Sequence, residues 1–494
     1  MSESDNCLDR ENQKINNFIS NNKSRKTVVV QGIGFVGSAM LIALASAKDE
    51  NGSLLYNVIG LDLKDNQEKI QSVNNGNAPI VTLDHHIIDG YKNAKRNGNL
   101  LATYSEYAYQ IADIIVVDIN LDIKKTSVGV TKDYSFSFDN FSNAISSVAK
   151  NIREETLVLL ETTVPPGTTE KIVYPIFQEI FLERGLDIGK VYLGYSYERV
   201  MPGKNYLNSI INNHRVVSGI NTPSKNKIKK FLETFTNTKE FPLYELHSTT
   251  AAEMAKVLEN SFRAVNIAFI QEWTEYAQGL GVDLFEVINA IKVRPTHQNL
   301  MYPGFGVGGY CLTKDSLLAD WSLRNFLSSN KHLEMSLDSV ETNDLMPLYT
   351  FSLLKNEFPS LKNMNISILG VSYLPGVADT RYSPTELFYD SCIAEGASVN
   401  VHDSLVRFWH EKNLSITNDL NAFSKLSQHD IVVFAIAHKE YVELTSNKII
   451  ELFGGAKLII DAFNVIKDSV AVDLLNRGIK VIGVGKGHWK QMHH

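Results

Sequence analysis

The chain has 494 residues, more than one ordinary hydrophobic core organises, so several domains are expected. It is 44% hydrophobic and 21% charged, and no apolar run approaches the roughly eighteen residues of a membrane span, so neither disorder nor a membrane partner is expected. A net charge of −7 without any long Lys/Arg run excludes a nucleic-acid footprint, and three scattered cysteines (Cys7, Cys311, Cys392) make neither a disulfide framework nor a metal cluster. A reducing cytoplasm fits best.

Residues 1–25 are polar and lack a secretory core, and they read as a surface extension or frayed helix. From Lys26, "KTVVVQGIGFVGSAMLIALASA" passes from a β-branched run through a glycine turn into an Ala/Leu-rich helix. Short apolar runs follow at "NVIGLDL", "ADIIVVDI", "ETLVLLETTV" and "KVYLGYS", separated by helix-compatible stretches. This alternation predicts an α/β fold with a doubly wound parallel sheet over 26–220. Residues 221–345 read as a central helical region. In it "TAAEMAKVLENSFRAVNIAFIQEWTEYAQG" predicts one long helix from Thr250 to Gly279, with Thr250 and Glu253 spaced as a capping box. Apolar residues surround most of that helix, which predicts burial against another domain or a second copy, so a homodimer is expected. From 346 to 494 the rhythm restarts at "NISILGV", "SVNVHD", "DIVVFAI", "KLIIDAF" and "IKVIGVG", a second doubly wound domain. No function is read into the closing His493 and His494.

Gly32, Gly34 and Gly37 form G-x-G-x-x-G between a predicted strand and a helix, the pattern that lets backbone approach a pyrophosphate at a helix N-terminus. Phe35 and Val36 stand inside that motif and are counted among the cofactor contacts. Asp62 ends the next strand, where a carboxylate accepts from a ribose 2′-OH and repels a 2′-phosphate, favouring NAD over NADP. The interval from Gly32 to Asp62 is longer than the usual twenty or so residues. "KDENGSLLYN" is expected to extend the intervening loop.

Cys311 lies in "GFGVGGYCLTKD", after Gly308 and Gly309 and before Lys314 and Asp315. Glycines there suit close approach to a ligand, and a nearby cation favours a thiolate that attacks an aldehyde. Read locally, the thiol is either a nucleophile or a small core residue. Lys256 and Asn260, four apart on the predicted long helix, share a face.

The runs "GIGFVG", "ETTVPPGTT", "YSYERVMPG", "AEMAKVLENSFRAVNIAF", "PGFGVGGYCLTKD", "NDLMP" and "LGVSYLPGVADTRYSP" occur in an order and spacing that resemble the UDP-glucose/GDP-mannose dehydrogenase family. The resemblance covers nearly the whole chain from Lys26. It implies two Rossmann-like domains joined by a helical dimerisation region, and oxidation of a nucleotide sugar's C6 alcohol to a carboxylate in two hydride transfers to NAD. Cys311 would hold the aldehyde as a thiohemiacetal that is oxidised to a thioester. Lys256 and Asn260 would stabilise oxyanions, Glu198 or Asp315 would activate the hydrolytic water, and Thr163 would position that water and touch the cofactor. Arg199, Arg215, Arg294 and Arg381 are candidates for anion recognition. Lys256, Tyr302, Gly306, Gly308, Gly309 and Tyr373 complete the expected substrate contacts.

"YSYERVMPG" resembles the branch acting on UDP-N-acetylhexosamines such as UDP-GlcNAc and UDP-ManNAc more than the UDP-glucose branch. The chain departs from the family at Tyr373–Leu374 (often Phe-Lys), Tyr310 (often His), "DINLDI" (usually a Thr-Pro loop) and Tyr197 (usually Pro). Alternatives are UDP-glucose or GDP-mannose as substrate, a two-electron hydroxyacid-type dehydrogenase, and an NAD-binding protein without turnover. The kinship implies a supply of precursors for surface polysaccharide.

Overall fold

The computed structural model describes residues 3–200, 203–426 and 428–493, so Met201 and Pro202 of the "YSYERVMPG" run, and His494, lie outside the described residues. The chain divides into two compact units: residues 1–123, 136–258 and 318–331, and residues 124–135, 259–317 and 332–494.

In the first part of the chain the apolar runs become β1 (Lys26–Gln31), β2 (Tyr56–Leu61), β3 (Leu100–Thr103), β4 (Ile114–Val117), β7 (Leu157–Leu160), β8 (Tyr192–Tyr195), β9 (Val216–Gly219) and β10 (Tyr244–Glu245), with a small ribbon of β5 (Ile123–Lys125) and β6 (Tyr134–Phe136) between β4 and β7. The eight-stranded sheet runs 10-9-8-7-4-1-2-3. Its neighbours are parallel except β8 with β9. The strand order reverses between β1 and β4, the switch point where doubly wound sheets open a ligand crevice. Side chains alternate between two cores: Val28 and Val30 enter one, Val29 the other. A sheet buried on both faces needs apolar residues at every position, which is why its strands read as continuous runs. The expected boundary near residue 220 falls between β9 and β10 of this sheet.

Ahead of β1, Glu3–Ser20 is a helix docked on this unit. Ile15 is fully buried, and Phe18 and Ile19 pack against the same core, so an apolar stripe at i, i+3 and i+4 anchors an otherwise polar segment. Between the helix Phe35–Ala45 and β2, "KDENGSLLYN" makes a turn pinned by Asp49, whose Oδ1 accepts from the N–H groups of Asn51 and Ser53.

The second unit holds a five-stranded parallel sheet of β11 (Asn365–Leu369), β12 (Ser398–His402), β15 (Ile431–Phe434), β16 (Leu458–Asp461) and β17 (Lys480–Gly483), in the order 12-11-15-16-17. An antiparallel ribbon, β13 (Phe408–Trp409) with β14 (Leu414–Ser415), lies between β12 and β15 in the chain. Here too alternate residues feed two cores, Ile366 and Ile368 on one side and Leu369 on the other.

The long helix spans Thr249–Leu280. Its cap differs from the expected Thr250/Glu253 box: the Ser248 hydroxyl accepts from Ala251 N–H, and Glu253 points instead into a turn described below. Met254, Leu258, Phe262, Phe269, Trp273, Tyr276 and Leu280 follow one another at three-, four- and seven-residue steps along this helix and are 47–63% exposed. Among the described residues, no helix is long and apolar enough to cross a membrane.

Candidate active site

The glycine turn after β1 fits a dinucleotide. Gly32 has φ +99°, and a Cβ there would fall 2.1 Å from the Asp118 carbonyl oxygen; a Cβ at Gly37 would fall 2.0 Å from the Gly32 carbonyl oxygen. Both glycines are therefore needed by the turn itself. At Gly34, the N-cap of helix Phe35–Ala45, a Cβ would meet nothing within 4 Å, which leaves an open approach to backbone at a helix N-terminus. Phe35 and Val36 form the first turn of that helix. Asp62 faces the same mouth, its Oδ2 accepting from Ile33 N–H at 3.1 Å and its Oδ1 from Asn66 Nδ2 at 2.8 Å. The "DINLDI" departure places Asp118 against this turn, its Oδ2 3.2 Å from where a Cβ at Gly37 would stand. Burial, then Glu161 and Glu198, push the Asp118 carboxyl well above the usual carboxylate range, and the Gly37 N–H and Lys256 draw it back.

Behind this turn, in the same unit, β7 and β8 deliver a charged cluster. Glu161 and Arg215 form an ion pair at 2.5 Å with side chains 0% and 1% exposed. Burial pushes Glu161 up and Arg215 draws it back. Arg215 is thus spent on a structural partner and is withdrawn as an anion-recognition candidate, because a fully enclosed guanidinium leaves no room for a diphosphate. Lys256 Nζ donates to the Glu198 carbonyl oxygen at 2.9 Å, lies 3.4 Å from Glu198 Oε1, and sits 5.3 Å from the Tyr197 ring centroid. The Arg199 guanidinium covers the same ring at 5.3 Å, and its Nη2 donates to Tyr197 Oη at 3.2 Å. Tyr197, where the family usually has Pro, thereby holds both cations on one side chain. Thr163 is half-buried in the turn after β7. That turn is held by Glu253, whose carboxylate accepts from Gly167 N–H (2.6 Å), Thr169 N–H (2.8 Å) and Thr169 Oγ1 (2.6 Å). Burial nevertheless raises Glu253 to about 7.

In the second unit the cysteine loop enters helix Asp315–Phe326, and the Cys311 carbonyl oxygen accepts from the N–H groups of Lys314 and Asp315. Cys311 itself is exposed at the entrance to that helix. Asp315 is buried, with Oδ2 accepting from Asn260 Nδ2 at 2.6 Å and Oδ1 from Lys314 Nζ at 3.0 Å. The carboxylate so fixes the amide that stands one helical turn after Lys256. Lys314 Nζ also lies 4.4 Å from the Tyr310 ring centroid.

The segment after β11 closes on this loop. Gly309 N–H donates to the Arg381 carbonyl oxygen at 3.1 Å, and a Cβ at Gly308 or Gly309 would strike Tyr373 at 2.6 Å. At Gly306 it would strike Pro384 at 2.5 Å. The three glycines are required where two chain segments touch. Arg381 is gripped by Asp379 through Nε (3.0 Å) and Nη2 (2.7 Å), and its guanidinium stands 5.7 Å from the Tyr310 ring. Asp403, at the end of β12, anchors the same segment by accepting from Val371 N–H, Ser372 N–H and His438 Nε2. Tyr302 stands elsewhere in the unit, stacked on Phe285 at 5.8 Å and donating to Asn289 Oδ1. Arg294, exposed after helix Leu284–Lys292, takes no part in the contacts described around Cys311.

Tyr197 stands out in the sequence only as a departure. Glu161 carries no local signal, and Arg215 and Glu253, which read in the sequence as an anion contact and half a capping box, take roles set by partners distant in sequence.

Three sequence models of the UDP-glucose/GDP-mannose dehydrogenase family match the chain in succession: the NAD-binding domain over residues 26–236, the central domain over 250–343 and the UDP-binding domain over 367–468. The chain is 29% identical over 461 residues to the UDP-N-acetyl-D-mannosamine dehydrogenase of Pyrococcus horikoshii, covering 92% of this chain and 98% of that protein. A solved structure of the UDP-D-ManNAc dehydrogenase from Pyrococcus horikoshii superposes with a TM-score of 0.78 at 26% identity, over 94% of this chain and 100% of the other. An NDP-N-acetyl-D-galactosaminuronic acid dehydrogenase from Methanosarcina mazei superposes with a TM-score of 0.75 at 25% identity, over 98% of this chain and 99% of the other. The glycine turn that fits a pyrophosphate, the cysteine loop and the three matches in chain order lead to one conclusion: the chain belongs to the UDP-glucose/GDP-mannose dehydrogenase family and is an NAD-dependent nucleotide-sugar dehydrogenase.

Proposed function

We propose that the chain oxidises the C6 hydroxyl of UDP-N-acetyl-D-mannosamine to the uronic acid, a four-electron reaction that passes through Cys311. The exposed Cys311 at the entrance to a helix whose Asp315 fixes the Asn260 amide carries this reading. The names of the relatives aligned over nearly the full length support the sugar.

The glycine turn and Asp62 would hold NAD, which would supply the hydride acceptor for both oxidations. The chain's own groups manage charge and covalency. Lys256 and Asn260, one turn apart on the long helix, stabilise the oxygen as it becomes anionic. The Cys311 sulfur adds to the aldehyde carbon, and a proton joins the former carbonyl oxygen to give a thiohemiacetal. After the second oxidation the carbon is a thioester. Water adds to it, the C–S bond breaks, and the carboxylate leaves while the thiol recovers a proton. A carboxylate takes the proton from that water. Glu198 or Asp315 is assigned this role, with Thr163 placing the water; the oxygens of both carboxylates are engaged in the resting site, those of Asp315 by Asn260 and Lys314 and those of Glu198 by Lys256 and the Val200 N–H.

Arg199, Arg294, Arg381, Tyr302 and Tyr373 complete the proposed substrate contacts. The active form is proposed to be a homodimer through the exposed apolar stripe of Thr249–Leu280, working in the cytoplasm to supply precursors for surface polysaccharide. The test is a panel of UDP-ManNAc, UDP-GlcNAc, UDP-GalNAc, UDP-glucose and GDP-mannose compared by kcat/KM. The highest value with UDP-ManNAc supports the assignment, and a clear preference for another member replaces it.

A further inference from the structure

We propose that the N-terminal helix Glu3–Ser20 is an accessory wall of the cofactor site, which sets the affinity for the adenosine half of NAD by fixing Tyr104. The helix precedes residue 26, where the match to the family's NAD-binding domain begins.

The sheet order supplies the geometry. From the switch point outward the strands run β1, β2, β3, and the loops at their carboxyl ends are the glycine turn, Asp62 and the Thr103–Tyr107 turn. The parts of the dinucleotide follow that sequence: pyrophosphate on the glycines, ribose on the carboxylate, adenine on what lies beyond. Asp62 N–H donates to the Thr103 carbonyl oxygen at 3.1 Å, so the turn after β3 abuts the ribose position. The first aromatic side chain in that turn is Tyr104, a half-buried ring with Lys64 Nζ 5.9 Å from its centroid.

The N-terminal helix grips this turn residue by residue. Cys7 Sγ lies 3.1 Å from Tyr104 Oη. Thr103 Oγ1 donates to Glu11 Oε2 at 2.9 Å, Ser105 Oγ to Asn12 Oδ1 at 2.5 Å, and Tyr107 Oη to Asn16 Oδ1 at 2.9 Å. Glu11 is 8% exposed, and a carboxylate is not enclosed without partners that repay its lost hydration. Four contacts on five consecutive residues are more than anchoring needs, since Ile15 already buries the helix in the core. Their shared consequence is a turn held in one conformation beside the adenosine position.

The inference concerns cofactor binding alone and is independent of the sugar, so its test needs no sugar. Full-length Glu11→Ala and Asn12→Ala are titrated by calorimetry with NAD, with AMP and with nicotinamide mononucleotide, and their melting is recorded. Losing one such hydrogen bond is expected to weaken NAD and AMP equally, by about three- to ten-fold, with nicotinamide mononucleotide unchanged. In turnover, KM for NAD rises and kcat at saturating NAD does not move. Tyr104→Phe, which keeps the ring and loses the Cys7 contact, weakens AMP less than Tyr104→Ala, which removes the ring as well. If Glu11→Ala does not fold, Asn12→Ala reads the same quantity at a more peripheral contact. Wild-type AMP affinity in the folded helix variants overturns the proposal, as does equal weakening of AMP and nicotinamide mononucleotide.

Discussion

Cys311 and Cys392 have the same side chain in opposite surroundings. Cys311 is exposed at a helix entrance; Cys392 is fully enclosed in the core beneath β11, where burial pushes its thiol up to about 12. A maleimide offered to the native protein at pH 7 should therefore modify Cys311 and leave Cys392 intact until the chain is unfolded, as read by mass spectrometry of peptides. Modification of Cys392 in folded protein would contradict that core. Glu253 makes a second prediction. Its carboxyl has an ordinary value of 4.5 and stands at about 7 in the fold, because burial outweighs its three hydrogen-bond donors. Between those values the folded state holds a proton that the unfolded chain has released, so stability falls as pH rises through this window. Tm measured from pH 5 to 8 should decline more steeply for the wild type than for Glu253→Gln; parallel profiles would show that Glu253 does not titrate there. In the sequence Glu253 reads as half of a capping box, and only the fold reveals that the side chain serves the turn carrying Thr163.

At the scale of elements, the strands were legible because a sheet covered on both faces must be apolar at every position. β9 and β10, four and two residues long at the sheet edge, carry too little pattern for that signal. The cysteine loop and the segment after β11 were legible as separate motifs. Their mutual contact was not, because it depends on Tyr373 lying over Gly308 and Gly309. The same limit hid the Glu161–Arg215 pair, whose partners come from β7 and from the turn entering β9. Arg215→Met leaves a carboxylate enclosed without its cation, and a loss of about 3–5 kcal/mol in urea unfolding is expected. Glu161→Leu together with Arg215→Met removes both charges and should recover much of that loss. A single variant as stable as wild type would show the pair to be dispensable.

For the whole molecule, the long helix sets the expected assembly. Seven large apolar side chains exposed along one helix form a patch of the kind that soluble chains cover with a partner. A homodimer is expected by sedimentation at micromolar concentration, and Phe262→Glu with Trp273→Glu should yield a folded monomer. A wild-type monomer would contradict the proposed dimer. The central claim is that one thiol carries a sugar from alcohol to acid without releasing the aldehyde. The most direct test counts NADH formed per UDP-N-acetylmannosamine consumed, by absorbance at 340 nm against quantified sugar, in wild type and in Cys311→Ser. The account predicts two NADH per sugar for the wild type and a reaction that stalls after the first oxidation in the variant. One NADH per sugar from the wild type, or full conversion to the acid by Cys311→Ser, would contradict it.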